Sequence, residues 1–98
     1  MPAFFFRKGR FMYTVYILEC QDGTYYTGIT NRLNTRLKQH QLGKASKYTR
    51  ARLPVRLVYQ EAAIDKSHAL KREIEVKSWP RTKKQKLIDT YVGEPVDE

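Results

Sequence analysis

The chain has 98 residues, 41% of them hydrophobic and 30% charged, which allows one packed core and leaves no room for a second. A single cysteine, Cys20, excludes an intramolecular disulfide and a multi-cysteine zinc site and fits a reducing, cytoplasmic compartment. No apolar run approaches the ~20 residues that span a bilayer, so no membrane partner is expected, while a net charge of +9 favours a polyanionic one.

Residues 1–11, MPAFFFRKGRF, carry too short an apolar stretch for a signal peptide and read as an N-terminal extension outside the core. Phe4 to Phe6 beside Arg7, Lys8 and Arg10 also suit a membrane-surface contact, the second of the two readings. The single domain is expected over residues 12–91. Tyr13–Glu19 (YTVYILE) is rich in β-branched and aromatic residues and reads as a strand, followed by the hairpin signal Asp22-Gly23 and a second strand over Tyr25–Ile29. Closing that hairpin brings Tyr16 and Tyr26 near each other and points Tyr25 to the opposite face.

Asn31 can cap a helix with Leu33 and Leu37 as a narrow apolar stripe and Gly43 as its stop. Arg36 and His40, one turn apart beside that stripe, are expected at the rim of the core. GKASKYTRARLP has no clean period and reads as a basic loop, with Val55–Gln60 as a third strand after it. Asp65 or Ser67 opens a second helix that ends before Pro80, with Leu70 and Ile74 facing the core. Glu73 then falls at the edge of the buried face, with Lys77 four residues on as an ordinary ion-pair partner and Glu75 solvated. Thr82 and Gln85 fit a capping box for a last helix that turns Leu87, Ile88 and Tyr91 inward, and residues 92–98 form an acidic tail. The order β-β-α-β-α-α describes an α+β domain: a three-stranded antiparallel sheet with packed helices.

Between Asn31 and Val58 the sequence holds eight basic residues and no acidic one. A folded surface intersperses the two signs, so a one-signed block of this kind marks a face for a polyanion, and Tyr48 within it suits a base or sugar. Arg32, Lys44, Lys47, Tyr48, Arg50 and Arg52 are therefore candidate nucleic-acid contacts. Arg36 offers a planar fork to a phosphate and His40 a group that can move a proton. A phenol is a poor base unless nearby cations stabilise its anion, a service that Arg36 and a metal would give Tyr16 or Tyr26. Glu73 can hold Mg²⁺ or Mn²⁺ through one oxygen. Gly28, without a side chain, lets backbone or phosphate come close.

Val15-Tyr16-Ile17 within TVYIL, Tyr26-Thr27-Gly28, Arg36 ten residues after the second signature tyrosine, and Glu73 within ALKREIEVK together resemble the GIY-YIG nuclease superfamily. The likeness runs from about Tyr13 to Ile88 and is greatest to the small, single-domain bacterial members. It implies a β-β-α-β-α core and a hydrolase that uses one divalent cation to cut phosphodiester bonds in nucleic acid, with DNA favoured over RNA. Tyr16, Tyr26, Arg36, His40 and Glu73 would be its catalytic residues. Glu73 would be the metal ligand, and the resemblance favours a tyrosine over His40 as the base. The first signature's glycine is Thr14 or Val15 here, and the second's isoleucine is Thr27; neither change removes a catalytic group. Larger members carry separate DNA-binding domains, so a protein partner is a candidate source of specificity. The alternative is a non-catalytic binding module of the same fold, its tyrosines stacking on bases.

Overall fold

The computed structural model describes residues 12–91, so the expected N-terminal extension (1–11) and acidic tail (92–98) lie outside the described residues. Strands β1 (Tyr13–Glu19), β2 (Tyr25–Thr30) and β3 (Arg56–Ala63) form one antiparallel sheet in the order β2-β1-β3. β1 takes the centre because its run of large apolar residues can be covered on both faces, and Val15, Tyr16, Ile17 and Leu18 are all buried. The β1–β2 turn closes on Gly23, whose φ of +84° favours glycine, and Asp22 accepts hydrogen bonds from the backbone and hydroxyl of Thr24. That closure sets the register, with Tyr16 opposite Gly28 and Leu18 opposite Tyr26.

Alternation along β1 separates two cores. Tyr16 and Leu18 pack with Leu33 and Leu37 of α1 (Leu33–Gln41), whereas Ile17 meets Val76 of α3 (Lys66–Lys77) and Leu87 and Ile88 of α4 (Arg81–Asp89). Tyr25 belongs to the second core and donates its hydroxyl to Gln85, so it does lie on the face away from Tyr26.

The order β-β-α-β-α-α holds, with one added turn of helix, α2 (Lys47–Arg50), inside what reads as a basic loop. Ser46 caps it by accepting the Thr49 N–H at 3.1 Å, and four residues are too few to show a helical period. Gly43 ends α1 at φ +75°, but Asn31 is not its cap: Arg32 holds that position and its N–H is taken at 3.0 Å by the Thr30 hydroxyl at the end of β2. β3 runs past Gln60 to Ala63 because Tyr13, Thr14 and Val15 of the central strand offer it partners.

Asp65 caps α3, accepting the His68 N–H at 2.9 Å, but the helix is rotated from its expected setting. Leu70 and Ile74 are 40% and 67% exposed, while Ala69 and Val76 are buried. The inward-facing stripe is therefore Ala69, Glu73, Val76, a spacing of four and three, with a partly buried carboxylate between two buried apolar residues. An ion pair with two hydrogen bonds fixes this rotation: Arg72 donates through Nε to Glu61 Oε2 at 2.9 Å and through its terminal nitrogen to Oε1 at 3.2 Å, tying α3 to β3. The capping box is also absent. Pro80 occupies the cap position of α4, and Gln85 is engaged by Tyr25 and Asp89.

Candidate active site

Tyr16 lies at the centre of the site and is held by a residue with no side chain. A Cβ on Gly28 would stand 2.6 Å from Tyr16 Oη and 2.8 Å from Cζ, so the phenol occupies the space over the bare β2 backbone. The close approach at Gly28 is made by Tyr16 rather than by a phosphate or another backbone. Tyr26, diagonal to Tyr16 across the strands, has its ring centroid 6.4 Å away and meets the edge of the His40 ring at 5.2 Å.

His40 is not at the rim of the core. It is fully buried at the end of α1, with Nε2 2.8 Å from Tyr16 Oη and Nδ1 2.9 Å from Thr49 Oγ1. Both ring nitrogens are satisfied, which makes burial of a neutral imidazole tolerable. Burial first, and the Arg36 charge second, push its pKa down to about 4, so the ring is neutral at neutral pH. Thr49, also buried, is a site residue that the sequence reading missed. Its only signal is the Ser46-x-x-Thr49 spacing of a cap, and the fold alone brings position 49 to position 40.

Arg36, one turn before His40 and partly buried, makes no ion pair or side-chain hydrogen bond among the described residues. Its charge acts on both Tyr16 and His40, which leaves a guanidinium beside the phenol without an internal anion. The Tyr16 phenol is nevertheless pushed well above the ordinary tyrosine range: burial is the largest cause, Tyr26 adds to it, Arg36 opposes it and Glu73 raises it further. The cationic activation expected of Tyr16 is therefore outweighed by burial, and Tyr16 keeps its proton.

The Glu73 side chain is 17% exposed, and its charge is the smallest of the influences that act on the Tyr16 phenol. Lys77 Nζ lies 3.2 Å from it, as expected for the i,i+4 pair, on a half-exposed side chain; Glu75 is exposed and bound to Arg72 at 3.0 Å. Among the described residues no three His, Cys, Asp or Glu side chains converge on a metal position. A single sheltered carboxylate fits Mg²⁺ or Mn²⁺, which keep several waters and take their remaining oxygens from a phosphate.

The basic face divides. Arg32, Lys44, Lys47 and Arg50 are exposed and make no ion pair among the described residues. Arg52 is already committed: Nε meets Asp22 Oδ2 at 3.0 Å, a terminal nitrogen donates to the Tyr48 carbonyl at 2.9 Å, and the guanidinium lies 3.8 Å from the Tyr48 ring centroid. Its place is to hold Tyr48, which also stacks on Tyr26 at 6.1 Å. Of the candidate residues, Tyr16, Tyr26 and His40 are in contact, the charges of Arg36 and Glu73 act on Tyr16, and α2 carries Lys47, Tyr48 and Arg50, with Tyr48 stacked on Tyr26.

A UPF0213 protein of Staphylococcus aureus (strain Mu3) is 51% identical over 74 residues, spanning 76% of this chain and 90% of that one. The solution structure of the UPF0213 protein BH0048 from Bacillus halodurans is 46% identical with a TM-score of 0.55, covering 84% of this chain and 87% of its own. That of EF2693 from E. faecalis is 32% identical with a TM-score of 0.58, covering 89% and 93%. The match to the GIY-YIG catalytic domain runs over residues 12–87, a span that includes Tyr16, Tyr26, Arg36, His40 and Glu73, which supports a nuclease-like function: the chain belongs to the GIY-YIG family.

Proposed function

We propose that this protein is a divalent-metal-dependent endonuclease that hydrolyses phosphodiester bonds in nucleic acid, with DNA favoured over RNA. The observation that carries the reading is the buried 2.8 Å contact between Tyr16 Oη and His40 Nε2, within the fields of Arg36 and Glu73. Binding alone needs neither a buried proton acceptor nor a lone carboxylate in a basic site. Arg36 grips the non-bridging phosphate oxygens with its fork and stabilises the charge that grows there. Tyr16 accepts the proton of the attacking water as it passes its own to the lone pair of neutral His40, so its high affinity for its proton does not have to be overcome by prior ionisation. Tyr26 packs against both rings and keeps them in register. Glu73 would hold one Mg²⁺ or Mn²⁺, which when bound neutralises charge on the scissile phosphate and the departing oxygen. Lys44, Lys47 and Arg50 steer the backbone of the nucleic acid and affect affinity more than rate.

The rival reading is a binding module of the same fold, and the depth at which Tyr16 is buried favours it. Incubating plasmid, branched DNA and RNA with and without Mg²⁺, beside Glu73→Ala, separates the two. Cleavage that persists in Glu73→Ala or in chelator overturns the mechanism. Equal binding by both proteins with no cleavage of any substrate establishes the module.

A further inference from the structure

The geometry points to Thr49 as a positioning residue that fixes the tautomer of His40, keeping the ring proton on Nδ1 and the Nε2 lone pair directed at Tyr16. The proposal rests on the site described above but concerns a residue outside the family's signature positions. His40 is neutral, so one ring nitrogen donates and the other accepts. The proton inventory selects between the two arrangements. With the proton on Nδ1, Tyr16 donates to Nε2 at 2.8 Å, Nδ1–H donates to Thr49 Oγ1 at 2.9 Å, and the Thr49 hydroxyl turns to Ser46, whose Oγ lies 3.0 Å away. Every proton then has an acceptor. With the proton on Nε2, that nitrogen donates to Tyr16 Oη and Thr49 donates to Nδ1, and the buried Tyr16 hydroxyl proton has no second acceptor among the described residues. Leaving such a donor unpaired is unfavourable enough to make the first arrangement dominant.

The backbone supports the same assignment. Ser46 accepts the Thr49 N–H at 3.1 Å, which holds Thr49 on the single turn of α2 with its hydroxyl toward the histidine. Thr49 is wholly buried, so no water competes for Nδ1. Only the Nδ1–H form leaves Nε2 able to receive the Tyr16 proton, so the hydroxyl at 49 acts on the reaction through His40 without touching substrate.

The test is the pair of His40 side-chain ¹⁵N shifts in the full chain, uniformly labelled, at neutral pH and without nucleic acid or metal. The expected wild-type result is a protonated Nδ1 and a bare Nε2; the reverse pattern overturns the proposal whatever the variants do. Thr49→Val, which keeps the shape and loses the hydroxyl, should move the shifts toward a tautomer mixture, and Thr49→Ser should restore the wild-type pattern. A valine variant with wild-type shifts overturns it as well. In cleavage assays Thr49→Val should lower kcat on the order of tenfold with KM little changed, with rescue by serine. Complete inactivity of the wild type would defeat the endonuclease reading and leave the ¹⁵N result standing, so the two failures are distinct.

Discussion

Tyr16 on the central strand and His40 at the end of α1 share a buried 2.8 Å hydrogen bond across 24 residues of sequence. The bond ties the sheet to the helix that carries Arg36, so the packing and the proposed chemistry both rest on it. Tyr16→Phe should lower cleavage on the order of a hundredfold or more while leaving nucleic-acid binding intact. It should also cost about 1–3 kcal/mol of stability in urea unfolding, because Nε2 is left without its partner. Cleavage within a few-fold of wild type would remove Tyr16 from the mechanism.

His40 makes stability depend on pH. Its folded pKa is about 4, against about 6.5 in the unfolded chain, so between those values the unfolded state binds more protons. Stability is therefore full above pH ~6.5 and falls as the pH drops toward ~4, by on the order of 3 kcal/mol for this group. The difference in urea midpoints between wild type and His40→Gln should shrink over that window as the pH falls. A constant difference would mean that the ring is protonated in the fold.

Gly28→Ala puts a Cβ 2.6 Å from Tyr16 Oη, inside any real contact distance. The phenol must shift, and it is enclosed by Tyr26 and His40. Destabilisation of about 1–3 kcal/mol is expected by thermal melting, with cleavage lost to a greater degree than the melting shift explains. A variant with wild-type stability and activity would show that Tyr16 has room to move.

Glu73→Gln should abolish metal-dependent cleavage with little loss of stability, whereas Lys77→Ala should leave cleavage within a few-fold. Their pair, 3.2 Å apart with the lysine half exposed, is worth about 0–1 kcal/mol, so neither change threatens the fold. Mn²⁺ or Mg²⁺ titrations of activity read the difference; a Lys77 variant as inactive as Glu73→Gln would assign the pair, not the carboxylate, to the site.

Lys47 and Arg52 should separate in salt-dependent binding. Lys47→Ala should reduce the slope of log K against log salt by about one phosphate contact. Arg52→Ala should leave the slope nearly unchanged and lower stability, since its guanidinium is spent on Asp22 and Tyr48. Equal changes in slope would return Arg52 to the nucleic-acid surface.

The hairpin and the signature residues were legible because they follow local rules: β-branched runs, a three-residue turn ending in Gly23 and alternation of faces place Tyr16, Tyr26 and Gly28 without any long-range knowledge. Position within a helix was harder. α3 reads from its large apolar residues as a Leu70 and Ile74 helix, yet tertiary packing and the Arg72–Glu61 bridge turn Ala69, Glu73 and Val76 inward. His40 reads as a residue at the rim of the core because its full burial depends on Tyr16 and Thr49, 24 and 9 residues away in sequence. The short α2 escaped because one helical turn carries no period, and Thr49 escaped with it.

The stripe Ala69, Glu73, Val76 has a consequence for the history of such a chain. A leucine at position 73 would complete an apolar seam and give a sturdier helix, so selection for folding alone would remove the glutamate. Under the proposed function, position 73 is where durability and chemistry pull apart, and a descendant relieved of that function should lose its carboxylate there first.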